Sequence, residues 1–249
     1  MKPLCIVVLA AGKGKRMGNP DLPKVMARLG SKPLISYVLE QAEQLHPTKV
    51  VVIIGHHGEM VREHVLSHFP NTLFAVQQEQ LGTGHAVMQA KDAIGQEDCD
   101  VLILSGDVPL VRAASLQEFV RNHQRAGSSL SVLSCEMPDA TGYGRIIRGE
   151  NGDFAGIVEQ RDASPEQHLI KEINSGMYII DNECLFPALD EVGNNNAQNE
   201  YYLTDVVGIL RSQGHKVTAF TAPDYTELLG INTIAELEHS WTVLQQRNG

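Results

Sequence analysis

The chain has 249 residues, 43% of them hydrophobic and 20% charged, which is ordinary globular composition with enough length to bury a core of its own. Its formal net charge of −10 argues against general binding to nucleic acid or to an anionic membrane. The charge is uneven, because residues 1–32 carry Lys2, Lys13, Lys15, Arg16, Lys24, Arg28 and Lys32 against Asp21 alone, a local +6 that leaves −16 elsewhere, and this suits a small anionic ligand better than a polymer.

Leu4 to Ala10 is a continuous apolar run rich in β-branched residues, the pattern of a strand covered on both faces in the middle of a parallel sheet. It leads into Ala11-Gly12-Lys13-Gly14-Lys15-Arg16, a glycine-rich loop with three cations, and Lys24 follows shortly after, a combination that suits a phosphate ligand. Two common nucleotide fingerprints fail here. Met17 stands where a dinucleotide-binding loop has its third glycine, and no Gly-Lys-Ser/Thr follows as a P-loop requires. Ser31 followed by Pro33 reads as an N-cap and first-turn proline of a helix reaching about Leu45, with Leu34, Val38, Leu39 and Ala42 on one face. A strand over Lys49 to Ile54, a helix near Glu59 to His68, a strand near Leu73 to Val76, a helix from Gly84 to about Ile94 and a strand over Val101 to Leu104 continue the alternation. This pattern predicts βαβ units, whose ligands bind at the carboxyl ends of the strands, where both the glycine loop and Asp107 fall.

After about Ser128 the chain is β-rich, with segments over Ser129 to Cys135, Gly144 to Arg148, Phe154 to Glu159 and Ile173 to Ile180 that read as a second lobe. Asn151-Gly152 between two of them signals a hairpin, since both residues tolerate positive φ. Helices near Tyr202 to Ser212 and Ile234 to Gln246 flank a strand at Lys216 to Thr221, and no internal repeat is visible.

Several side chains carry chemistry. Arg16 and Lys24 suit reaction at a polyphosphate, where fixed cations neutralise charge on a departing pyrophosphate; Lys13 and Lys15 read as solvating charges. Asp107, after an apolar strand, is either a Mg²⁺ ligand or the cap of the next helix, and Asn232 is either a second oxygen ligand or an N-cap. Gln77 offers an amide that can read a pyrimidine edge or can simply face solvent, with Gly82 allowing close backbone approach. His64 and His68 have i, i+4 spacing but no third ligand and no H-E-x-x-H pattern, His56-His57 reads as a surface turn, and no Ser-His-Asp arrangement is evident. Cys5, Cys99, Cys135 and Cys184 lie far apart without a C-x-x-C pair or a secretory leader, and Leu4 to Ala10 is too short to cross a bilayer, so a cytoplasmic protein with free thiols is expected.

Taken together, L-A-A-G-K-G-K-R-M and L-P-K resemble the signature of the nucleotidyltransferases that activate sugar 1-phosphates, loosely shared by cytidylyltransferases of isoprenoid synthesis and molybdenum-cofactor guanylyltransferases. The later segments QQEQLGTGHA, SGDVPL, TGYGRI, GIVE, EINSG, NNNAQNEYYLTD and GINT occur in order. With them nearly the whole chain resembles the N-terminal uridylyltransferase domain of the bifunctional N-acetylglucosamine-1-phosphate uridyltransferases.

The resemblance implies a single α/β domain over 1–249 with a Rossmann-like, mostly parallel central sheet flanked by helices and a small β-rich sugar-binding lobe. Its parts are a nucleotide-binding part at about 1–127, the sugar-binding lobe and return to the sheet at about 128–232, and a C-terminal helix at 233–249. It implies that UTP and N-acetylglucosamine 1-phosphate are converted to UDP-N-acetylglucosamine and pyrophosphate with Mg²⁺, Arg16 and Lys24 being the catalytic cations. Ala11, Gly12, Lys24, Gln77, Gly82, Thr83 and Asp107 would contact the nucleotide, with Gln77 and Gly82 reading uracil. Asp107 and Asn232 match the metal ligands, and Gly144, Glu159 and Asn174 match the residues that hold the sugar; Ser105 stands where some relatives carry a tyrosine.

The bifunctional enzymes continue into a left-handed β-helix of hexapeptide repeats that transfers acetyl groups and builds a trimer. This sequence has no such repeat, so acetyltransferase activity and a trimer are not carried over, and no oligomeric state is implied. Neither nucleic acid nor membrane is an expected partner. The alternatives are the same chemistry on another sugar 1-phosphate, or a non-catalytic nucleotide-sugar binding protein.

Overall fold

A computed structural model describes residues 2–12, 14, 17, 21–55 and 57–248. Its strands are β1 (Leu4–Ala10), β2 (Arg28–Leu29), β3 (Lys32–Pro33), β4 (Lys49–Ile54), β5 (Leu73–Val76), β6 (Asp100–Ser105), β7 (Leu130–Glu136), β8 (Arg145–Arg148), β9 (Phe154–Val158), β10 (Glu172–Asp181) and β11 (Val217–Thr221). The helices are α1 (Leu34–Glu43), α2 (Gly58–His68), α3 (Thr83–Met88), α4 (Lys91–Ile94), α5 (Ala113–Ala126), α6 (Asn182–Glu191), α7 (Asp205–Ser212) and α8 (Ile234–Asn248).

The main sheet has the order β11-β7-β10-β6-β1-β4-β5. β1 lies in parallel register between β4 and β6, which explains why its side chains are apolar on both faces. Cys5 and Val7 pack on one side with α3, α4, α6 and α7, whereas Ile6, Val8 and Ala10 pack on the other with α1, α2 and α5. The result is three layers, with helices covering both faces of the sheet. Six strands along this path run the same way; β10 is antiparallel to both β6 and β7.

The β-rich segment after Ser128 is thus divided. β7, β10 and β11 extend the central sheet, while β8 and β9 form a hairpin attached through the pair Ile173 and Arg145. The hairpin turn is where Asn151-Gly152 puts it, but only Gly152 takes a positive φ, at +77°, and its N–H donates to the Gly149 carbonyl at 2.9 Å.

Three local expectations are corrected. Ser31 is not a helix cap: with Gly30 at φ +63° it forms the turn between β2 and β3, and α1 begins only after Pro33, whose extended ψ of 152° marks the boundary. The ring of Trp241 on α8 lies against Gly30, where a Cβ would collide with it. The helix expected from Gly84 to Ile94 is split into α3 and α4 around Gln89 and Ala90. Two helices had no expected range: α5, the helix that follows the Asp107 loop, and α6. α5 buries Ala113, Leu116, Phe119 and His123 along one stripe, and α6 carries Pro187 in its interior, a residue that reads as a helix breaker.

Candidate active site

Two adjoining cavities of 280 and 220 Å³ open at the carboxyl ends of β1 and β6 and share Leu9, Thr83, Ser105 and Asp107 as a common wall. Ala11, Gly12, Lys24, Gln77, Gly82 and Thr83 line the first, and Gly144, Glu159, Asn174 and Asn232 line the second. Every candidate site residue within the described part of the chain therefore reaches one or both cavities. Arg16, Lys13 and Lys15 lie outside the described residues, as does His56. Roomier cavities lie elsewhere, two of them of 710 and 720 Å³ around Lys2 and His123 and around Gly95 and Phe186.

The common wall is built by main-chain bonds. Gly106 N–H donates to the Leu9 carbonyl at 2.9 Å, fixing the end of β6 to the end of β1, and Ile231 N–H donates to the Asp107 carbonyl at 3.0 Å. That second bond sets Asn232 beside Asp107. Lys24, in a short 3₁₀ turn over Lys24–Met26, reaches into the same point: its Nζ donates to Asp107 Oδ2 and, at 2.6 Å, to Asn232 Oδ1.

Both capping alternatives fall away. The Asp107 carboxylate takes the ammonium instead of a helix N–H, and the start of α5 is satisfied from elsewhere, Ala113 N–H by Gln41 Oε1 at 2.9 Å and Arg112 N–H by Glu227 Oε2 at 3.2 Å. At α8 the cap is Thr233, in a capping box with Glu236: Thr233 Oγ1 accepts from Glu236 N–H at 3.2 Å, and Glu236 Oε2 accepts from Thr233 N–H at 2.8 Å and Asn232 N–H at 2.6 Å. The side chain of Asn232 is left for Lys24.

In the first cavity Gln77 is buried, 3% exposed, so the solvent-facing alternative does not hold. Its amide nitrogen donates to the Gly82 carbonyl at 3.0 Å and meets His85 Nδ1 at 3.2 Å, and among the described residues nothing donates to its oxygen. Gly82 is required by the protein itself. At φ +113° a Cβ would lie 2.6 Å from the Tyr201 carbonyl oxygen, so the close approach is to the 200–203 segment. That segment is laced to the loop before α3 by Tyr201 N–H to the Leu81 carbonyl at 2.7 Å, Gly84 N–H to the Tyr201 carbonyl at 2.8 Å and Leu203 N–H to Thr83 Oγ1 at 3.1 Å. Gly12 is the opposite case: among the described residues nothing lies within 4 Å of a Cβ built there.

In the second cavity Asn174 N–H donates to the Gly144 carbonyl at 2.9 Å, Asn174 Oδ1 accepts from Gly176 N–H at 3.0 Å, and Asn174 Nδ2 donates to the Tyr178 hydroxyl at 2.6 Å. Burial, and then the neighbouring carboxylates of Asp162, Asp205 and Glu200, push the Glu159 carboxyl above its ordinary value, against the lowering effect of the Thr204 hydroxyl donating to Oε1 at 3.3 Å.

Sequence reasoning missed Tyr143 and Thr204. Tyr143 lines the second cavity, and its hydroxyl accepts from Gly230 N–H at 3.2 Å, bracing the segment that carries Asn232; its signal was a lone aromatic between Gly142 and Gly144. A serine-histidine-aspartate chain does exist. Ser131 Oγ lies 2.7 Å from His123 Nδ1, and His123 Nε2 lies 3.7 Å from Asp100, but all three are buried and remote from these cavities.

The two strand-end cavities thus meet at an ammonium held by Asp107 and Asn232, and a family model for nucleotidyl transferases matches residues 5–242. The chain belongs to that family. Among curated proteins it is similar to the bifunctional protein GlmU of Exiguobacterium sibiricum, 44% identical over 241 residues that make up 97% of this chain and 53% of that protein. The bifunctional protein GlmU of Enterococcus faecalis is 42% identical, again over 97% of this chain and 52% of that protein, so the chain spans about half the length of the curated relatives it matches.

Among solved structures, UDP-glucose pyrophosphorylase complexed with UDP-glucose matches with a TM-score of 0.78 at 19% identity, over 99% of this chain and 100% of that one. HddC from Yersinia pseudotuberculosis complexed with GMP-PN matches with a TM-score of 0.70 at 19% identity, over 98% of this chain and 100% of that one. At that identity the likeness is one of fold. The family resemblance carried by the motifs and the expected fold class are borne out, and no helix among the described residues is long and apolar enough to cross a membrane.

Proposed function

We propose that the chain condenses UTP with N-acetylglucosamine 1-phosphate to give UDP-N-acetylglucosamine and pyrophosphate. The observation that carries this reading is the meeting of Lys24, Asp107 and Asn232 at the wall between the two cavities, where the phosphate of a ligand in one would face the α-phosphate of a nucleotide in the other. The acceptor phosphate is already an anion, so its oxygen attacks the α-phosphorus directly; the new P–O bond forms as the bond to the β-phosphate breaks, and pyrophosphate leaves with the electron pair. No protein nucleophile is needed. Lys24, with Arg16 assigned by resemblance, neutralises the charge that grows on the leaving pyrophosphate.

The residues fit Mg²⁺. Asp107 and Asn232 present two hard oxygen donors that already converge on one cation, the Lys24 ammonium, and Mg²⁺ characteristically takes one or two protein oxygens and completes its shell with water and phosphate. When bound there, the metal supplies charge neutralisation and orientation of the phosphates.

Base and sugar recognition follow from the same hydrogen bonds. Because the Gln77 amide nitrogen is committed to the Gly82 carbonyl, its oxygen is an acceptor matched to the N3–H of uracil and mismatched to the bare N3 of cytosine. On the other side of the wall, Glu159, Asn174 and the backbone at Gly144 offer acceptors and donors to sugar hydroxyl and acetamido groups.

Gly12→Ala is expected to leave the thermal midpoint within about 2 °C, since its Cβ meets none of the described residues, yet to raise the KM for UTP about tenfold by occupying room that the phosphates use. Thermal melts and steady-state kinetics on the same preparation check it; an unchanged KM would mean that the nucleotide does not approach Gly12.

Glu159 sets a pH dependence. Its carboxyl titrates above the ordinary value in the folded chain, so as pH falls from neutral it takes up a proton early and stops accepting hydrogen bonds. The KM for the sugar phosphate should rise along that limb, and Glu159→Gln should flatten it. In stability the sign is the reverse, because the folded chain binds this proton more tightly: the contribution is present at low pH and lost as pH rises through the folded value.

The proposal is tested by comparing kcat/KM for N-acetylglucosamine, glucose and galactosamine 1-phosphates with UTP held constant. The N-acetylglucosamine ester should be preferred. A preference for another ester would reassign the sugar, and binding of the nucleotide sugar without turnover would make the chain a binding protein.

A further inference from the structure

We propose that Cys5, Cys99 and Glu97 form a binding site for a thiophilic divalent cation of the Zn²⁺ type, at the opposite end of the central strands from the two active-site cavities. The two thiol sulfurs and a Glu97 carboxylate oxygen all lie within 4.8 Å of one another, and Cys5 Sγ is 3.8 Å from Glu97 Oε2. The cysteines are far apart in sequence but close in the fold. Cys5 is in β1, Cys99 immediately precedes β6, and the parallel register pairing Leu4 with Asp100 brings their thiols together.

The cluster is held from outside. Lys49 at the start of β4 pairs with the other carboxylate oxygen of Glu97 at 2.7 Å, and the Thr48 hydroxyl lies 3.3 Å from Cys5 Sγ. Asn182 Nδ2 donates to the carbonyls of Glu97 at 2.8 Å and of Gly95 at 3.0 Å, which fixes the loop bearing the carboxylate. Both cysteines are fully buried, whereas Glu97 is exposed and offers the entry side.

The geometry and the donor set fit the ion class. Tetrahedral Zn²⁺ with bonds of about 2.3 Å to sulfur places neighbouring ligand atoms about 3.8 Å apart, so a cluster spanning 4.8 Å closes with shifts of about an ångström or less. Two sulfurs and one carboxylate select a soft or borderline metal over Mg²⁺, which wants an octahedron of oxygens, so this site does not compete with Asp107 and Asn232. Two thiolates and a carboxylate against a divalent ion leave one negative charge, which Lys49 balances.

The hydrogen bond from Cys99 lowers the Cys5 thiol against the opposing effect of burial, with help from Thr48 and Lys49; the same bond and burial hold the Cys99 thiol up. Metal binding displaces thiol protons, so affinity for the ion should rise with pH. A metal here would tie β1 to β6 about 20 Å from the strand ends that carry Ala11 and Asp107, bracing the sheet without touching the reaction.

The test is titration of the metal-stripped full chain with Co²⁺ under a phosphine reductant. One equivalent should bind with thiolate-to-metal charge-transfer absorption and tetrahedral d–d bands, Zn²⁺ should displace it stoichiometrically, and the thermal midpoint should rise. Cys99→Ser should weaken binding by about 100-fold or more and Glu97→Gln by about tenfold, whereas Cys184→Ser should change nothing. Absence of the charge-transfer band, or full affinity in Cys99→Ser, overturns the proposal. Should Cys99→Ser fail to fold, Glu97→Gln on its exposed loop decides: full affinity there overturns the site as drawn, and the tenfold loss supports it.

Discussion

Lys24→Ala is expected to lower kcat for pyrophosphate release by about 10³-fold, with the KM for UTP changing by less than about tenfold. The Lys24 side chain is 12% exposed, and its ammonium is shared between Asp107 and Asn232 at the wall both cavities touch. It is the counter-ion of the Asp107 carboxylate. In the proposed reaction the same ammonium would face the pyrophosphate, whose charge grows only as the bond to the α-phosphate breaks, so the contact would contribute mainly in the transition state. Lys24→Met, which keeps most of the stem, should lose as much kcat as Lys24→Ala, separating charge from packing. Rapid-quench kinetics at saturating UTP read the effect directly; an unchanged kcat would remove Lys24 from the reaction.

Asp107→Ala is expected to abolish the Mg²⁺ dependence of turnover and to cost at least about 10³-fold in rate, with the fold retained. The fold should survive because the segment bearing Asn232 is held by the Asp107 carbonyl, not its carboxylate, through the 3.0 Å bond from Ile231 N–H. The lost charged hydrogen bond to Lys24 should still be visible as a destabilisation of about 1–3 kcal/mol in denaturant melts. A Mg²⁺ titration of the variant checks the claim, and normal, metal-dependent activity would sink the metal assignment.

The parts of the fold that were legible in the chain are those whose burial is uniform. β1, β4 and β6 announce themselves as apolar runs because each is covered on both faces, and Asn151-Gly152 marks its hairpin because a glycine at φ +77° is a local requirement. The order of the sheet was not legible. β10 enters antiparallel between β6 and β7, a pairing set by packing over long sequence distances. α6 was hidden by Pro187, and Ser31 misled because a serine before a proline signals a cap only if the chain there is not already turning a hairpin.

The candidate site divides in the same way. Ala11, Gly12, Gln77 and Asp107 could be found from the sequence because each follows an apolar strand, and strand ends are where such sheets bind ligands. Whether Asp107 and Asn232 cap helices or share a cation depends on Gln41, Glu227, Thr233 and Glu236, which satisfy the helix ends from other parts of the chain. Tyr143 and Thr204 act on their neighbours only through contacts that the fold creates. The thiol pair of Cys5 and Cys99 is the extreme case, since two isolated cysteines become adjacent only once β1 and β6 are in register.

The most direct measurement is pyrophosphate release from a matrix of UTP, CTP, ATP and GTP against N-acetylglucosamine 1-phosphate, with and without Mg²⁺ and with the sugar phosphate omitted. Release only when UTP, the sugar phosphate and Mg²⁺ are all present is the expected result. Release from UTP without the sugar phosphate, equal use of CTP, or no release in any combination would contradict the account.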